Sequence, residues 1–324
     1  MTKKRIAWID GVKGIGIVLV VLAHSMSPVI SENAAIELVY RLIYWMAIPL
    51  FMIPLGIVSG RLVTAQEGKM ELLGKRAKRL MVPYCSWAVV YLFMKAVLKE
   101  YVRFEQAPLW TIIIGNNPAG QLWYAYVAFV LLTVAIFLVN PRNLPVWSVG
   151  AVIVSFLAPL IPARLSLPGI GLQYSLFQAG FFFIGLCLAS RRDKAFCHGG
   201  AALICGILWC VYLAVRIFGI DPWYLKFPSA VCITYAIIFC TAKLPSGKVS
   251  DALSYLGQNS MNVYVLHAPI LLVGRVLIKP ILGEMPWIYS VVMTVGAMAI
   301  SLLLSRYIIK RVKLLRFLLL GESD

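Results

Sequence analysis

The first long apolar segment, residues 9–26, carries three ionisable side chains at membrane depth: Asp10, Lys13 and His24. The segment is long enough to span a bilayer as a helix. Ionisable groups in that position are costly and usually serve a function. Lys13 and His24 are about three helical turns apart, which puts them on one face and about 16 Å from each other. Asp10 falls on the same face. We therefore predict that this helix forms one wall of an active site, with neutral His24 suited to act as a general base.

The alternative for this segment is that Lys13 snorkels to the membrane interface and His24 is a satisfied packing residue. Gly11, Gly14 and Gly16 lie on the same helix. They are predicted to permit close helix packing rather than to bind phosphate, because no strand precedes them.

The composition places the whole chain in a membrane. Hydrophobic residues make up 61% of the 324 and charged residues only 13%, whereas soluble domains hold about 25% charged residues. The chain is therefore predicted to be an all-α integral membrane protein, and no cleavable signal peptide is evident. The seven cysteines lack CxxC or CxxH spacing. They are read as small packing residues, and no metal site is predicted.

Apolar windows of about 20 residues predict about ten transmembrane helices in a single polytopic domain covering residues 1–324. These windows lie near 9–27, 37–59, 82–99, 121–139, 146–162, 172–190, 199–218, 227–242, 258–278 and 287–307. Segment 100–120 is weaker and is compatible with a re-entrant or interfacial piece.

Basic residues cluster in alternate loops and at both ends of the chain, which by the positive-inside rule predicts that both termini are cytoplasmic. The opposite loops hold only a few, such as Lys226 and Lys279. The net charge of +17 thus has a topological explanation and requires no nucleic-acid partner. The last residues, 310–324, are predicted to form a basic amphipathic surface helix.

The stretch KRAKRLMVPY (75–84) holds the second signal, the basic residues Lys75, Arg76, Lys78 and Arg79. Arg76 and Arg79 are three residues apart and would share a helix face. Two guanidiniums at that spacing can hold a phosphate, so this loop is a candidate anion clamp. A stop signal or an anionic-lipid contact is the alternative.

The ninth predicted span contributes unusual polarity through Asn259, Ser260, Asn262, Tyr264 and His267. Interhelical hydrogen bonding is the default reading for Asn259 and Ser260. Tyr264 and His267 are one turn apart, near mid-depth. They are either a satisfied buried pair or the second polar wall of a site.

Other candidates lie near the ends of spans. Arg41 near the outer end of span 2 is either close to the outer end of span 1 or an interfacial anchor, while Pro49 and Pro54 are predicted to kink span 2. Trp123 and Tyr124 are typical of an aromatic belt.

Taken together, the motifs resemble the membrane-bound acyltransferase 3 family, particularly its fucose 4-O-acetylase-like and polysaccharide O-acetyltransferase members. Four stretches carry the resemblance in family order: IDGVKGIGIVLVVLAH (9–24), IPLFMIPLGIVSG (48–60), KRAKRLMVPY (75–84) and NSMNVYVLH (259–267). The chain departs from the family at Lys13, where Arg is commoner.

The resemblance implies transfer of an acetyl or other acyl group from cytoplasmic acetyl-CoA to a carbohydrate hydroxyl at a bacterial inner membrane. His24 would be the base, assisted by Asp10, Lys13, Tyr264 and His267. The coenzyme A phosphates would contact Lys13, Lys75, Arg76 and Arg79. Arg41, Trp123 and Asn262 are candidate contacts to the acceptor. Tyr264, His267 and Arg41 are the candidate oxyanion donors, and the sequence does not choose among them.

The expected partners are acyl-CoA, a carbohydrate acceptor and the lipid bilayer, and a homo-oligomer or glycan-synthesis machinery is compatible with the sequence. A transporter or flippase for a lipid-linked glycan or acyl donor is the alternative function. The chain shows no repeated half with matching broken helices, which counts against a transporter. A sensor or scaffold would leave the intramembrane charges without a purpose.

Overall fold

A computed structural model of the chain describes residues 6–64, 68–97, 109–112, 115, 120–162, 172–190, 196 and 198–322. These described residues form thirteen α-helices and no strand. The first seven are α1 (Ala7–Met26), α2 (Ala34–Met46), α3 (Pro49–Thr64), α4 (Lys69–Val97), α5 (Trp123–Phe137), α6 (Leu144–Leu157) and α7 (Leu172–Leu188). The others are α8 (Gly199–Ile217), α9 (Trp223–Lys243), α10 (Lys248–Gln258), α11 (Ser260–Leu282), α12 (Pro286–Tyr307) and α13 (Lys313–Leu320). Most of segment 100–120, and the basic residues at 3–5 and 191–194, lie outside the described ranges.

Seven helical segments of the described chain are long and apolar enough to cross a membrane, which confirms an all-helical, multi-pass class. They are Ala7–Glu32, Ala34–Thr64, Gly120–Phe137, Gly199–Ile217, Trp223–Lys243, Ser260–Leu282 and Pro286–Arg311. Two shorter apolar helices, Leu144–Leu160 and Ser175–Leu188, correspond to two more of the ten predicted spans. The count of ten and the cytoplasmic location of both termini stay predictions.

Helix α1 occupies the middle of the helix assembly, in contact with α2, α3, α9, α10, α11 and α12. Glycines in α1 and α10 allow the two backbones to approach closely. A Cβ on Gly14 would lie 2.1 Å from the backbone oxygen of Leu253, and a Cβ on Gly257 would lie 1.7 Å from that of Asp10. The backbones of α1 and α10 therefore touch at two points, as the predicted packing role of the glycines requires.

The second predicted span, residues 37–59, is interrupted at Pro49, one of the two prolines predicted to kink it. Helix α2 ends at Met46, a turn covers Ala47 and Ile48, and Pro49 begins α3. Proline favours the first turn of a helix because its missing N–H needs no partner there. Pro54 is accommodated inside α3.

The basic stretch 75–84 was read as a loop, and that reading is wrong. It belongs to α4, one continuous helix from Lys69 to Val97 that also contains the third predicted span. Pro83 lies inside α4 without ending it. Arg76 and Arg79 thus sit on a helix, at the spacing that places them on one face.

The terminal amphipathic helix was predicted to lie on the membrane surface, but α13 packs against α4. The indole Nε1 of Trp87 donates a hydrogen bond to the backbone oxygen of Leu319, 3.0 Å away. Leu320 is buried, and Gly321 ends the helix in a left-handed conformation close to the backbone of Arg79. The apolar face of α13 is therefore used for packing within the protein.

Candidate active site

The centre of the candidate site is a pair of histidines near the C-terminal end of α1. The rings of His24 on α1 and His267 on α11 lie 5.2 Å apart between centroids, with their planes inclined by 45°. His267 is completely buried, whereas His24 has an exposed side chain. His24 thus keeps an exposed side chain although six other helices contact α1. The pair brings together the first and last of the four motifs.

The hydrogen bonding of His267 fixes its protonated nitrogen. Its Nδ1 lies 3.0 Å from the backbone oxygen of Val263, one turn earlier on α11. A carbonyl oxygen can only accept, so Nδ1 carries the hydrogen and donates it. Among the described residues Nε2 of His267 has no partner and is buried. This nitrogen therefore keeps a lone pair on a ring that lies against His24.

Tyr264 is held in place by the turn that precedes α5. Its hydroxyl donates to the backbone oxygen of Gln121 at 2.9 Å, and the Gln121 amide donates to the hydroxyl of Tyr91 at 2.6 Å. The ring of Tyr264 lies 6.4 Å from that of His267 and 5.5 Å from that of Tyr124, where it packs edge-on. The Tyr264 side chain is thus held in a fixed position next to His267.

Two of the three candidate oxyanion donors have already given away the hydrogen they would need. The hydroxyl hydrogen of Tyr264 is donated to Gln121, and the Nδ1 hydrogen of His267 is donated to Val263. Arg41 donates Nε and Nη2 to Oε1 of Glu37, at 3.0 and 2.6 Å, which leaves further N–H groups of its guanidinium able to donate. An oxyanion bound by Tyr264 or His267 would therefore require one of these hydrogen bonds to rearrange.

A cavity of about 110 Å³, here called the inner cavity, runs beside α1 between Lys13 and Tyr264. Its lining residues are Lys13, Val20, Ile48, Phe51, Leu80, Tyr124, Ser260, Met261 and Tyr264. Lys13 forms an ion pair with Asp10, Nζ to Oδ1 at 2.7 Å, and both side chains are largely shielded from solvent. One end of the cavity is thus polar and charged, and the other reaches the tyrosine that touches His267.

The arginine pair precedes a residue of the inner cavity wall on α4. Leu80 lines the cavity, and Arg79 precedes it directly on α4. Partial burial, and after it the charge of Arg79, lowers the pKa of the Arg76 guanidinium. The two cations therefore repel each other, and an anion between them would relieve that repulsion. Lys75 is mainly exposed and pairs with Glu71, Nζ to Oε1 at 2.5 Å.

The remaining candidates lie away from the histidine pair. Arg41 lines a separate polar cavity with residues of α8 and α9. Asn262 is buried, and its amide donates to Oδ1 of Asn259 at 3.2 Å, which is the local bonding expected of a packing residue. Trp123 begins α5 and packs against the apolar core around α3 and α7.

Two parts of the arrangement were not anticipated from the sequence. Tyr124 was read as part of an aromatic belt, but it lines the inner cavity against Phe51 and Tyr264. Arg216 lies near the end of a predicted span, where basic side chains usually snorkel, but it is shielded and pairs with Asp221. No spacing in the sequence indicates that Tyr124 and Lys13 share a cavity wall, because this depends on how α5 packs.

Comparison with known proteins agrees with these motifs. The acyltransferase 3 family model, described as an acyltransferase domain, matches residues 6–306. Nodulation protein NolL of Sinorhizobium fredii is 29% identical over 181 residues, which are 54% of this chain and 47% of NolL. The chain thus spans about half the length of that curated relative. No solved structure matches.

Proposed function

Because this chain belongs to the acyltransferase 3 family, we propose that it moves an acetyl group from acetyl-CoA to a sugar hydroxyl. The acceptor would be an extracytoplasmic or lipid-linked glycan at a bacterial cytoplasmic membrane. Family membership supports acyl transfer in a multi-pass membrane protein. The acetyl donor, the glycan acceptor and the roles of individual residues are our proposal.

The observation that carries this proposal is the inner cavity beside α1. Its wall includes Lys13 and also Leu80, the neighbour of Arg79 on α4. The same wall includes Tyr264, which contacts His267. Coenzyme A consists of a polyanionic head and a flexible arm that ends in the thioester. Phosphates held by Arg76 and Arg79 would let that arm enter beside Lys13 and bring the thioester toward His24.

The reaction then follows from the position of His24. Its imidazole takes the proton of an acceptor hydroxyl that reaches its exposed surface. The alkoxide oxygen attacks the thioester carbonyl carbon and forms the new C–O bond. The C–S bond breaks as the tetrahedral intermediate collapses, and the coenzyme A thiolate leaves and receives the proton from His24. His267, with its free Nε2 lone pair, would accept the other N–H of His24 and fix its tautomer.

Binding of coenzyme A to detergent-purified protein tests the donor half of the proposal. We expect the wild type to bind coenzyme A and the double variant Arg76→Ala/Arg79→Ala to bind it at least about tenfold more weakly, because charge-assisted bonds to phosphate are lost. Isothermal titration calorimetry measures both affinities.

The matched control removes two arginines from another helix end. Arg306 and Arg311 both lie against the ring of Tyr307, at 5.4 and 5.8 Å from its centroid, and line neither cavity. The variant Arg306→Ala/Arg311→Ala should bind coenzyme A like the wild type. Folded wild type that does not bind coenzyme A would reject the acyl-CoA reading and favour a transporter of lipid-linked glycans.

A further inference from the structure

A second cavity lies at the end of α1 that carries His24. It measures about 370 Å³, and its lining includes Arg41 and Trp45 of α2, Arg216 of α8, Lys226 of α9 and Asp221 between them. We call it the outer cavity. Ile30, in the short 3-10 helix that continues from α1, also lines it. The outer cavity is therefore reached from the same end of α1 as His24, and not from the Lys13 end.

The charges in the outer cavity do not balance. Arg216 and Lys226 are shielded, with 11% and 15% of their side chains exposed, and both pair with the single carboxylate of Asp221. Nη1 of Arg216 contacts Oδ1, and Nζ of Lys226 lies 3.2 Å from Oδ2. The other cation in the lining, Arg41, has Glu37 as its own partner. Within the described lining, one positive charge is left without a matching carboxylate, which is costly for shielded cations.

The excess cation is also held in position. Nζ of Lys226 lies over the indole of Trp45, 5.2 Å from the ring centroid. Trp45 is itself fixed by an edge contact with Phe177, 4.8 Å between centroids. A cation–π contact of this kind keeps the ammonium group in place while its hydrogens stay able to bond. Such preorganisation lowers the cost of binding an anion there.

We propose that the outer cavity binds an anionic group of the carbohydrate acceptor, a carboxylate or a phosphate, on Lys226 and Arg216. The inference rests on the proposed function, since it assigns the acceptor of that reaction to the class of acidic sugars. Glu37, Arg41 and Asp221 supply bonds to hydroxyls around the anion. The anionic group anchors the acceptor at the end of α1 that carries His24, and a neighbouring hydroxyl is the one acetylated.

The test measures binding of three small glycosides to purified protein without acetyl-CoA: methyl glucuronide, glucose 1-phosphate and neutral methyl glucoside. We expect at least one of the two anionic sugars to bind about tenfold more tightly than methyl glucoside. The comparison between the two anions tells a carboxylate acceptor from a phosphate acceptor. Lys226→Gln should remove the preference, and Lys226→Arg should retain it.

Two further variants make the result decisive. Asp221→Asn removes the shared carboxylate and should strengthen anion binding, opposite in sign to Lys226→Gln, so general misfolding cannot produce both effects. Lys279→Gln is the control, because Lys279 has its own partner, Glu32, at 3.0 Å outside the cavity lining. This control should bind all three sugars like the wild type.

Equal binding of charged and neutral sugars, or unchanged binding in Lys226→Gln, would overturn the inference. Absence of any sugar binding in protein that still binds coenzyme A would overturn it too, and would leave the proposed acyl transfer standing. Selective anion binding in protein that binds no coenzyme A would support the outer cavity while rejecting the proposed donor.

Discussion

At the scale of single residues, the two histidines of the pair are chemically distinct. His267 is completely buried and donates Nδ1–H to its own helix, so its role is confined to contacts within the protein. His24 has an exposed side chain. This difference supports the proposal that His24 is the base and His267 a positioning residue.

Replacing His24 with Ala should lower the rate of acetyl transfer by about 100- to 10,000-fold, the usual contribution of a general base. The measurement is transfer of radiolabelled acetyl groups in membranes that contain equal amounts of each protein.

The third histidine provides the control for this substitution. His198 is exposed at the start of α8, away from both cavities, so His198→Ala should transfer acetyl groups at the wild-type rate. A rate near wild type for His24→Ala would remove His24 from the mechanism.

At the scale of helices, the site depends on how closely α10 lies against α1. The contacts of Gly14 and Gly257 leave no room for a methyl group, because the atoms opposite are backbone oxygens that cannot move aside alone. Since α11 follows α10 after Asn259, this packing sets where His267 lies relative to His24.

Gly14→Ala should therefore destabilise the protein by about 1–3 kcal/mol, as overpacking of a filled contact does. The thermal midpoint of the detergent-purified protein measures the loss.

Gly150→Ala is the matched control, because a Cβ at Gly150 on α6 meets no atom within 4 Å. Its midpoint should equal or slightly exceed that of the wild type, since alanine favours a helix more than glycine does. A midpoint for Gly14→Ala as high as that of this control would mean that α1 and α10 are not in backbone contact.

At the scale of the whole molecule, the proposed transfer of acetyl to an extracytoplasmic acceptor requires that the inner and outer cavities open on opposite membrane faces. The bend between α9 and α10 lies near the start of α1, where Thr241 is close to Gly11. The bend between α11 and α12 lies near the other end of α1, where Lys279 pairs with Glu32. Ser246 and Glu284 are exposed in these two bends.

In a background without the native cysteines, Glu284→Cys should react with a membrane-impermeant maleimide in intact cells. Ser246→Cys should react only after permeabilisation, because the basic loops are predicted to be cytoplasmic. The reverse labelling pattern would invert the topology and place Arg76 and Arg79 out of reach of cytoplasmic acetyl-CoA.

Local spacing was sufficient to predict part of the site. Residues 9–26 were predicted to be helical, and Arg76 and Arg79 to share a helix face, from neighbours along the chain alone. The structure has both segments in helices, α1 and α4. The meeting of Arg216, Asp221 and Lys226 with Trp45 depends on the packing of α2 against α9, which no spacing records. Tyr124 was misread for the same reason, since an aromatic residue at a helix start suits a membrane interface or a cavity wall equally well.

The contact between α13 and α4 has a consequence for biosynthesis. Trp87 and Leu319, which join the two helices, are separated by 232 residues. The ribosome must therefore translate past α13 before the helix that carries Arg76 and Arg79 gains its packing partner. A growing chain that already has both histidines in the membrane still lacks this support, so the proposed donor site is complete only once synthesis has passed residue 320.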